Sequence, residues 1–539
     1  MLSFSISLKD LTYPCIATSK GWLFNESFIH PFIHPSLESF AITDGALYLF
    51  VVKERDSYGK TEIRDGTKLR NVFTSEIHKV RKDLIKWPLH YICVLIGPSS
   101  VSIDTGKWAV SPIYVLERNL QLIGHWDSIQ LSKYLSPLKL DKVLVAHFLI
   151  SFESPYAKNT LFANMYRLTE RTVLHWCGKN TLQITYPPSL EQPFAKELKP
   201  GADVIGMFKE ILQQSMSRWV RKDGKAISTE LSSGLDSGIV SIIASSLTSK
   251  KLQTYGLLVM DEFRKAQIER RNEFITKFGF EDTAIQIKDL LPFSKNSYDR
   301  DNRKMLFWKE CYYEAEDHLL SIAREKNDSL LFTGFGGDEL FLPYWDEMST
   351  KDQELCTINS HLPRQNVPSF INDDLYLAYS DSANSIKEAP KSLMAYSTAE
   401  AVAYSSPAYL SQNIWPVSPY ATPELIMFCR SLPFSWRKNR RLQRQFLSEA
   451  GCSQQITHPE QPDNFRSVMT FALQKSASDI NKLFQNSVLA ELGYIDPKKF
   501  KDALNDHLKH QQNSKHSDVD FYTVIALEYA VSALDSART

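Results

Sequence analysis

Apolar residues in the first 195 positions come in short runs, at 21–24, 40–52, 90–96, 108–115, 120–125, 171–176 and 181–186. Runs of this length, parted by turn-forming residues, predict strands, so this half reads as β-rich. The stretch 28–35, FIHPFIHP, places His30 and His34 four apart, but Pro31 and Pro35 break helical spacing, and it reads as extended loop rather than a metal pair. A linker composition follows at 187–203, with Pro187, Pro188, Pro193, Pro200 and Gly201. Beyond it the apolar period lengthens. Val204, Phe208, Ile211, Leu212, Met216 and Trp219 share one helical face. Residues 226–242, AISTELSSGLDSGIVSI, run from an extended segment through a Ser/Gly turn into a helical pattern. Residues 252–260 read as a buried strand and 262–278 and 304–325 as helices. Residues 330–342, LLFTGFGGDELFL, read as a strand entering a glycine turn. Residues 344–410 read as loop, then helix; 496–517 as a surface helix and loop; 518–535 as an apolar helix packed on the sheet. Strands alternating with helices predict a parallel, doubly wound α/β sheet.

A chain of 539 residues exceeds what one core serves, and two domains are expected, 1–195 and 200–539. Lys+Arg and Asp+Glu are both 62, which argues against broad electrostatic binding to nucleic acid or acidic membrane. The 7 cysteines are scattered without a C-x-x-C pair, so neither a disulfide framework nor a zinc site is expected, and a reducing cytoplasm fits. No apolar run is long enough to span a bilayer, and the first residues lack the pattern of a signal peptide.

The two turns carry the candidate chemistry. Strand, small-residue turn and helix aim free backbone N–H groups at an anion. In the first turn, Ser232, Ser233, Gly234 and Ser237 supply donors and close approach. Asp236 is itself an anion, so its expected role is to hold a Mg²⁺ that binds phosphate. Taken alone, this is equally an ordinary Ser/Gly turn. The second turn, Thr333 to Glu339, repeats the strand-to-glycine geometry with Asp338. Ligands of open α/β sheets sit at the carboxyl ends of strands, so the two turns are expected to face one cleft and share the metal.

SSGLDS at 232–237 resembles the SGGxDS pyrophosphatase loop. Paired with TGFGGDELF at 333–341, it resembles the synthetase domain of the asparagine synthetase family. That family includes glutamine-dependent asparagine synthetases, β-lactam synthetases and the macrolactam synthetases (cyclases) of lasso peptides. The resemblance implies a doubly wound ATP-pyrophosphatase domain using ATP and Mg²⁺. It implies Asp236, Asp338 and Glu339 in catalysis, the two aspartates on the metal. Leu231, Ser232, Ser233, Gly234, Asp236, Ser237, Leu257, Thr333 and Gly334 would surround the nucleotide. GKWAVSPIYV at 106–115 and NTLFANMYRLTER at 159–171 are similar to segments of the family's N-terminal glutaminase, an Ntn-type β-sandwich. That glutaminase uses a cysteine at position 2. Here Leu2 stands there, and a leucine cannot attack an amide, so a degenerate domain is expected. Its role is then a retained scaffold, with binding of a peptide partner as the alternative.

Residues 414–433 resemble the family's acceptor-side segment without its usual arginine and aspartate. The basic run Arg437, Lys438, Arg440, Arg441 and Arg444 reads mostly as a solvated helical face, with one or two members free to point at phosphate or a peptide carboxylate. The family's downstream lysine has no counterpart in QITHPEQPDNF at 455–465. Phe335 occupies the place of a glutamate in asparagine synthetases and a tyrosine in β-lactam synthetases, and it cannot take a proton. The resemblance therefore points to a lasso-peptide cyclase. Its substrate would be a precursor peptide, its partner a leader peptidase. A small-molecule amide synthetase and a non-catalytic nucleotide-binding homologue are the alternatives.

Overall fold

The computed structural model describes residues 1–57, 68–107, 112–135, 137–152, 155–178, 181–220, 227–293, 311–353, 367–381, 386, 388–461, 463–510 and 514–536. The stretches 108–111 and 304–310, expected above as strand and helix, lie outside these residues.

Two seven-stranded sheets are built from the first half. One runs Met165–Leu168, Ile113–Arg118, Gln121–His125, Leu2–Ser7, Ser27–Pro31, Trp22–Phe24, Ile16–Ala17, antiparallel throughout. The other runs Gln183–Thr185, Val173–Trp176, Val101–Thr105, Tyr91–Ile96, Tyr48–Glu54, Leu37–Thr43, Leu69–Asn71, its last pair parallel. Alternating residues of both sheets, among them Phe4, Ile6, Phe50, Val52, Val94 and Trp176, share one core. The FIHPFIHP stretch departs from the loop expected of it: Ser27–Pro31 is a strand, paired Leu2↔Pro31 to Ser5↔Phe28. Pro31 is tolerated because it ends the strand, two residues beyond the last pairing of Trp22–Phe24 on the other side. His34 lies outside that strand, its ring bonded to the Ser36 N–H and the Asn413 carbonyl.

The second half carries a five-stranded sheet in the order Glu281–Gln286, Gln253–Leu258, Ile227–Glu230, Leu330–Phe332, Trp415–Val417, every pair parallel. The order matters for the site. Ile227–Glu230 and Leu330–Phe332 are neighbours in register, Ile227↔Leu330 to Thr229↔Phe332, so both turns leave the same edge side by side. The helix Leu235–Ser246 packs Ile239, Val240 and Ile243 into the core, and the helix Val204–Ser217 adds Phe208, Leu212 and Met216. The helix Asp518–Ser536 is apolar as expected, but it packs chiefly on Arg466–Leu483, Val488–Glu491 and Lys142–Ser151 of the first half, rather than on the sheet. Among the described residues, no helix is long and apolar enough to cross a membrane.

One buried carboxylate ties the two halves together. Glu54, at the end of its strand, accepts the indole N–H groups of Trp219 (3.0 Å) and Trp415 (2.6 Å) and the His90 N–H (2.7 Å). Burial holds its pKa above the ordinary value. Glu54→Ala would orphan these donors, each costing ~1–3 kcal/mol if left unmet, offset by release of the buried charge. A net loss of about 2–4 kcal/mol is expected in urea unfolding, with Glu54→Gln milder because it keeps an acceptor.

Candidate active site

The first turn begins at Leu231, whose N–H still bonds the Tyr255 carbonyl (2.7 Å), and then leaves the sheet. Ser232 and Ser237 close it: their hydroxyls lie 2.9 Å apart, and the Ser232 N–H reaches the Ser237 oxygen at 3.1 Å. Gly234 caps the following helix, which puts Asp236 in its first turn. Ser233 sits at φ 95, a region that favours glycine. It is held there by a buried network: its hydroxyl donates to Asp463 (2.6 Å), which also pairs with Arg270 (2.5 Å). Gln267 completes this layer by bonding the Ser232 and Leu257 carbonyls at 3.1 and 3.0 Å. Leu257, expected beside a base, thus lies at the end of the neighbouring strand with its carbonyl held by Gln267.

The second turn lies against the first. Thr333 is buried, its hydroxyl 2.8 Å from that of Ser418. A Cβ on Gly334 would stand 3.2 Å from the Ser237 nitrogen, and one on Gly337 only 1.9 Å from Asp236 Oδ1. Any side chain at 337 would therefore displace the Asp236 carboxylate. Asp236 and Asp338 meet at one point, which the guanidinium of Arg440 occupies: Nη2 is 2.5 Å from Asp236 Oδ2, and Nη1 pairs with Asp338 Oδ1. Gln443 donates to the other Asp236 oxygen and accepts from Arg440 Nε at 2.6 Å. Burial raises the Asp236 pKa to about 6, against the pull of Arg440. The Asp338 side chain is 72% exposed, that of Asp236 18%. Glu339 turns to the far side of the second turn, where the Ser397 hydroxyl donates to it at 2.7 Å. There a cavity of about 330 Å³ opens, lined by Gly336, Glu339, Leu340, Tyr396, Tyr420 and Arg430.

Arg440 was named in the sequence only as one of five, and the run is mixed. Lys438 and Arg441 are exposed, as expected of a solvated face, with Arg441 over the Trp436 ring, whereas Arg437 is fully buried on Glu347 and Arg444 bonds the Asn439 and Thr457 carbonyls. Asn439 and Arg440 take left-handed backbone, φ 53 and 56, where the chain breaks before the helix Arg441–Glu449. That kink presents Arg440 to the cleft; Asn at 439, which tolerates the conformation, is the available signal.

The donor set suits a magnesium ion that arrives with a nucleotide. Two hard carboxylate oxygens already converge on a cation, and Mg²⁺ is commonly held by one or two carboxylates plus phosphate. Among the described residues, no cluster of three or more His, Cys, Asp and Glu forms a metal cage of its own.

Beneath the first turn, Glu230 is half-buried against the Tyr409 hydroxyl, and loss of solvent around it raises its pKa to about 7. A carboxyl with a higher pKa folded than unfolded binds protons more tightly when folded. Its stabilising effect is full below the unfolded value of 4.5 and is lost as pH rises through about 7. Glu230→Gln should therefore flatten the fall in stability across that window, read as the difference from wild type in urea unfolding at acid and neutral pH.

Residues 207–404, which include both turns but not Arg440, match the family model for asparagine synthase. The match covers less than half of the chain and shows a likeness to that family over this stretch, which supports ATP-dependent ligase chemistry as the reading to test. No curated protein matches the chain. Among solved structures, the U34-tRNA thiolase NcsA of Methanococcus maripaludis is 13% identical, covering 57% of this chain and 79% of its own, at a TM-score of 0.25. The NH3-dependent NAD synthetase of Campylobacter jejuni is 11% identical, covering 58% and 95%, at 0.23. The glutamine PRPP amidotransferase of B. subtilis is 6% identical, covering 53% and 81%, at 0.20. Likenesses at such TM-scores carry no argument about this chain.

Proposed function

We propose that the protein is an ATP-dependent amide-bond synthetase that closes a macrolactam in a precursor peptide. The observation that carries the reading is the convergence of Asp236 and Asp338, from turns on adjacent parallel strands, on one cationic point. A side-chain carboxylate of the peptide attacks the α-phosphorus of ATP, forming the acyl-adenylate and breaking the bond to pyrophosphate. The peptide's N-terminal amine then attacks the acyl carbon, loses its proton and expels AMP. Mg²⁺ held by Asp236 and Asp338 would neutralise charge on the leaving pyrophosphate. The first turn offers backbone N–H groups and the Ser232 and Ser237 hydroxyls to that anion, and Arg440 offers a fixed guanidinium beside it.

Phe335 favours an amine nucleophile, because it supplies no base and an α-amine with pKa near ~8 is already partly neutral at pH 7. The first half fits a glutaminase-like scaffold that has lost its chemistry, since Leu2 is buried in a strand and has no nucleophilic atom. A leader peptidase that delivers the peptide completes the reading.

A second reading, nucleotide binding without catalysis, is favoured by the guanidinium already seated between the two carboxylates. One assay separates them: ATP–pyrophosphate exchange and AMP release over a panel of peptides bearing Asp or Glu at varied distances from a free N-terminus. Exchange that depends on the carboxylate, with a cyclic product lacking one water by mass, is expected. ATP binding without exchange across the panel would leave the second reading standing, and exchange driven only by small carboxylic acids would replace the peptide with a small molecule.

A further inference from the structure

The helix Thr74–Leu84 lies on the outer face of the second sheet, with Ile77 and Leu84 packed on Ile42, Val51 and Cys93. It leaves the Val101–Thr105 and Val173–Trp176 end of that face open: Val173 is 37% exposed, and His175 is exposed beside it. Between helix and open face is a cleft of about 480 Å³. Its apolar surface comes from Tyr91, Val173 and, on the rim, Ile85, which is 61% exposed.

The charges of the cleft do not balance. Asp104, the one acid lining it among the described residues, is taken by Arg81 in a two-pronged pair of 2.6 and 2.8 Å. Lys82, Lys107 and Arg171 line the same space, and none of them is in an ion pair among the described residues. Arg171 is held in place: its guanidinium donates to the Pro188 and Lys391 carbonyls at 3.1 and 3.3 Å, its Nε is buried without a hydrogen bond, and the nearby carboxyl of Glu170 meets part of its charge. Its backbone is held at φ 56. A fixed arginine, two exposed lysines and an apolar floor form a local cationic site on a chain whose net charge is zero, so general basicity does not account for it.

We propose that this cleft binds an acidic peptide segment of a partner, with carboxylates on Lys82, Lys107 and Arg171 and an aliphatic side chain between Ile85 and Val173. The pairing of charge with apolar area favours a peptide over a bare polyanion. The site is lined by residues of the first half, apart from the elements that carry the two turns, and does not rest on the ligase reading.

The test is fluorescence anisotropy on the full chain without nucleotide. The probe is a labelled peptide of Glu interspersed with Leu and Gly; its Gln counterpart and a labelled uridine oligonucleotide are compared with it. The expected result is salt-sensitive binding of the Glu peptide, weakened roughly 10-fold or more in Lys82→Glu/Lys107→Glu and in Arg171→Gln. The lysines are exposed, so thermal unfolding of the double variant should match wild type; Arg171→Gln serves as the independent check. Equal binding of Glu and Gln peptides, unchanged affinity in the double variant, or preference for the oligonucleotide would each overturn the proposal.

Discussion

Asp236→Asn is expected to lower ATP–pyrophosphate exchange by ~10²-fold or more while leaving the fold intact. The amide is isosteric, so it still accepts from Gln443 and fills the contact with Gly337. What it loses is charge at the one point where both turns present a carboxylate. Arg440 keeps Asp338 as a partner, which limits the structural cost. Asp338→Asn should act in the same direction but respond to added Mg²⁺, because Asp338 is exposed and its deficit can be met partly from solution, whereas Asp236 is largely enclosed. Near-normal exchange in Asp236→Asn would remove the carboxylate pair from the mechanism. A variant that also unfolds at lower temperature would assign Asp236 a structural role instead.

Gly337→Ala is the second large effect expected, and it is purely steric. The added methyl would stand 1.9 Å from Asp236 Oδ1, so the carboxylate must move. Gly337 is not among the residues at positive φ outside the range of alanine, so backbone strain does not confuse the outcome. Displacing a positioned group by about 1 Å costs on the order of 10²-fold in rate. Gly334→Ala should be milder, since its methyl would stop 3.2 Å from the Ser237 nitrogen. Exchange rates at saturating ATP, with unfolding temperature measured alongside, would establish this ranking; equal activity of the two variants would contradict the contact between the turns.

The two turns were legible in the chain because their signals are local. Glycine, serine and aspartate following an apolar strand restrict the backbone wherever they occur, and adjacent parallel strands bring two such turns together. Arg440 was not legible for the opposite reason. It lies 204 residues after Asp236, in a run of five chemically similar cations. Which of them reaches the cleft is decided by the left-handed Asn439–Arg440 kink, and which is buried by where Glu347 falls. The Asp463–Ser233–Arg270 layer is long-range in the same way. The helix at 518 shows a related limit: apolarity predicts that a face is covered, but not by which element. Prolines in FIHPFIHP suggested a loop because their missing N–H groups weigh against a sheet interior, yet a proline at a strand's end loses nothing.

Glu54 has a consequence for any attempt to divide the molecule. Trp415 lies on the strand beside the one that feeds the second turn, and its indole proton is met by a side chain from the opposite half. A shortened gene beginning after the linker would leave that indole and Trp219 facing water or each other across a bared apolar seam. Such a fragment is expected to aggregate, which would be reason enough to keep the first half for its packing alone.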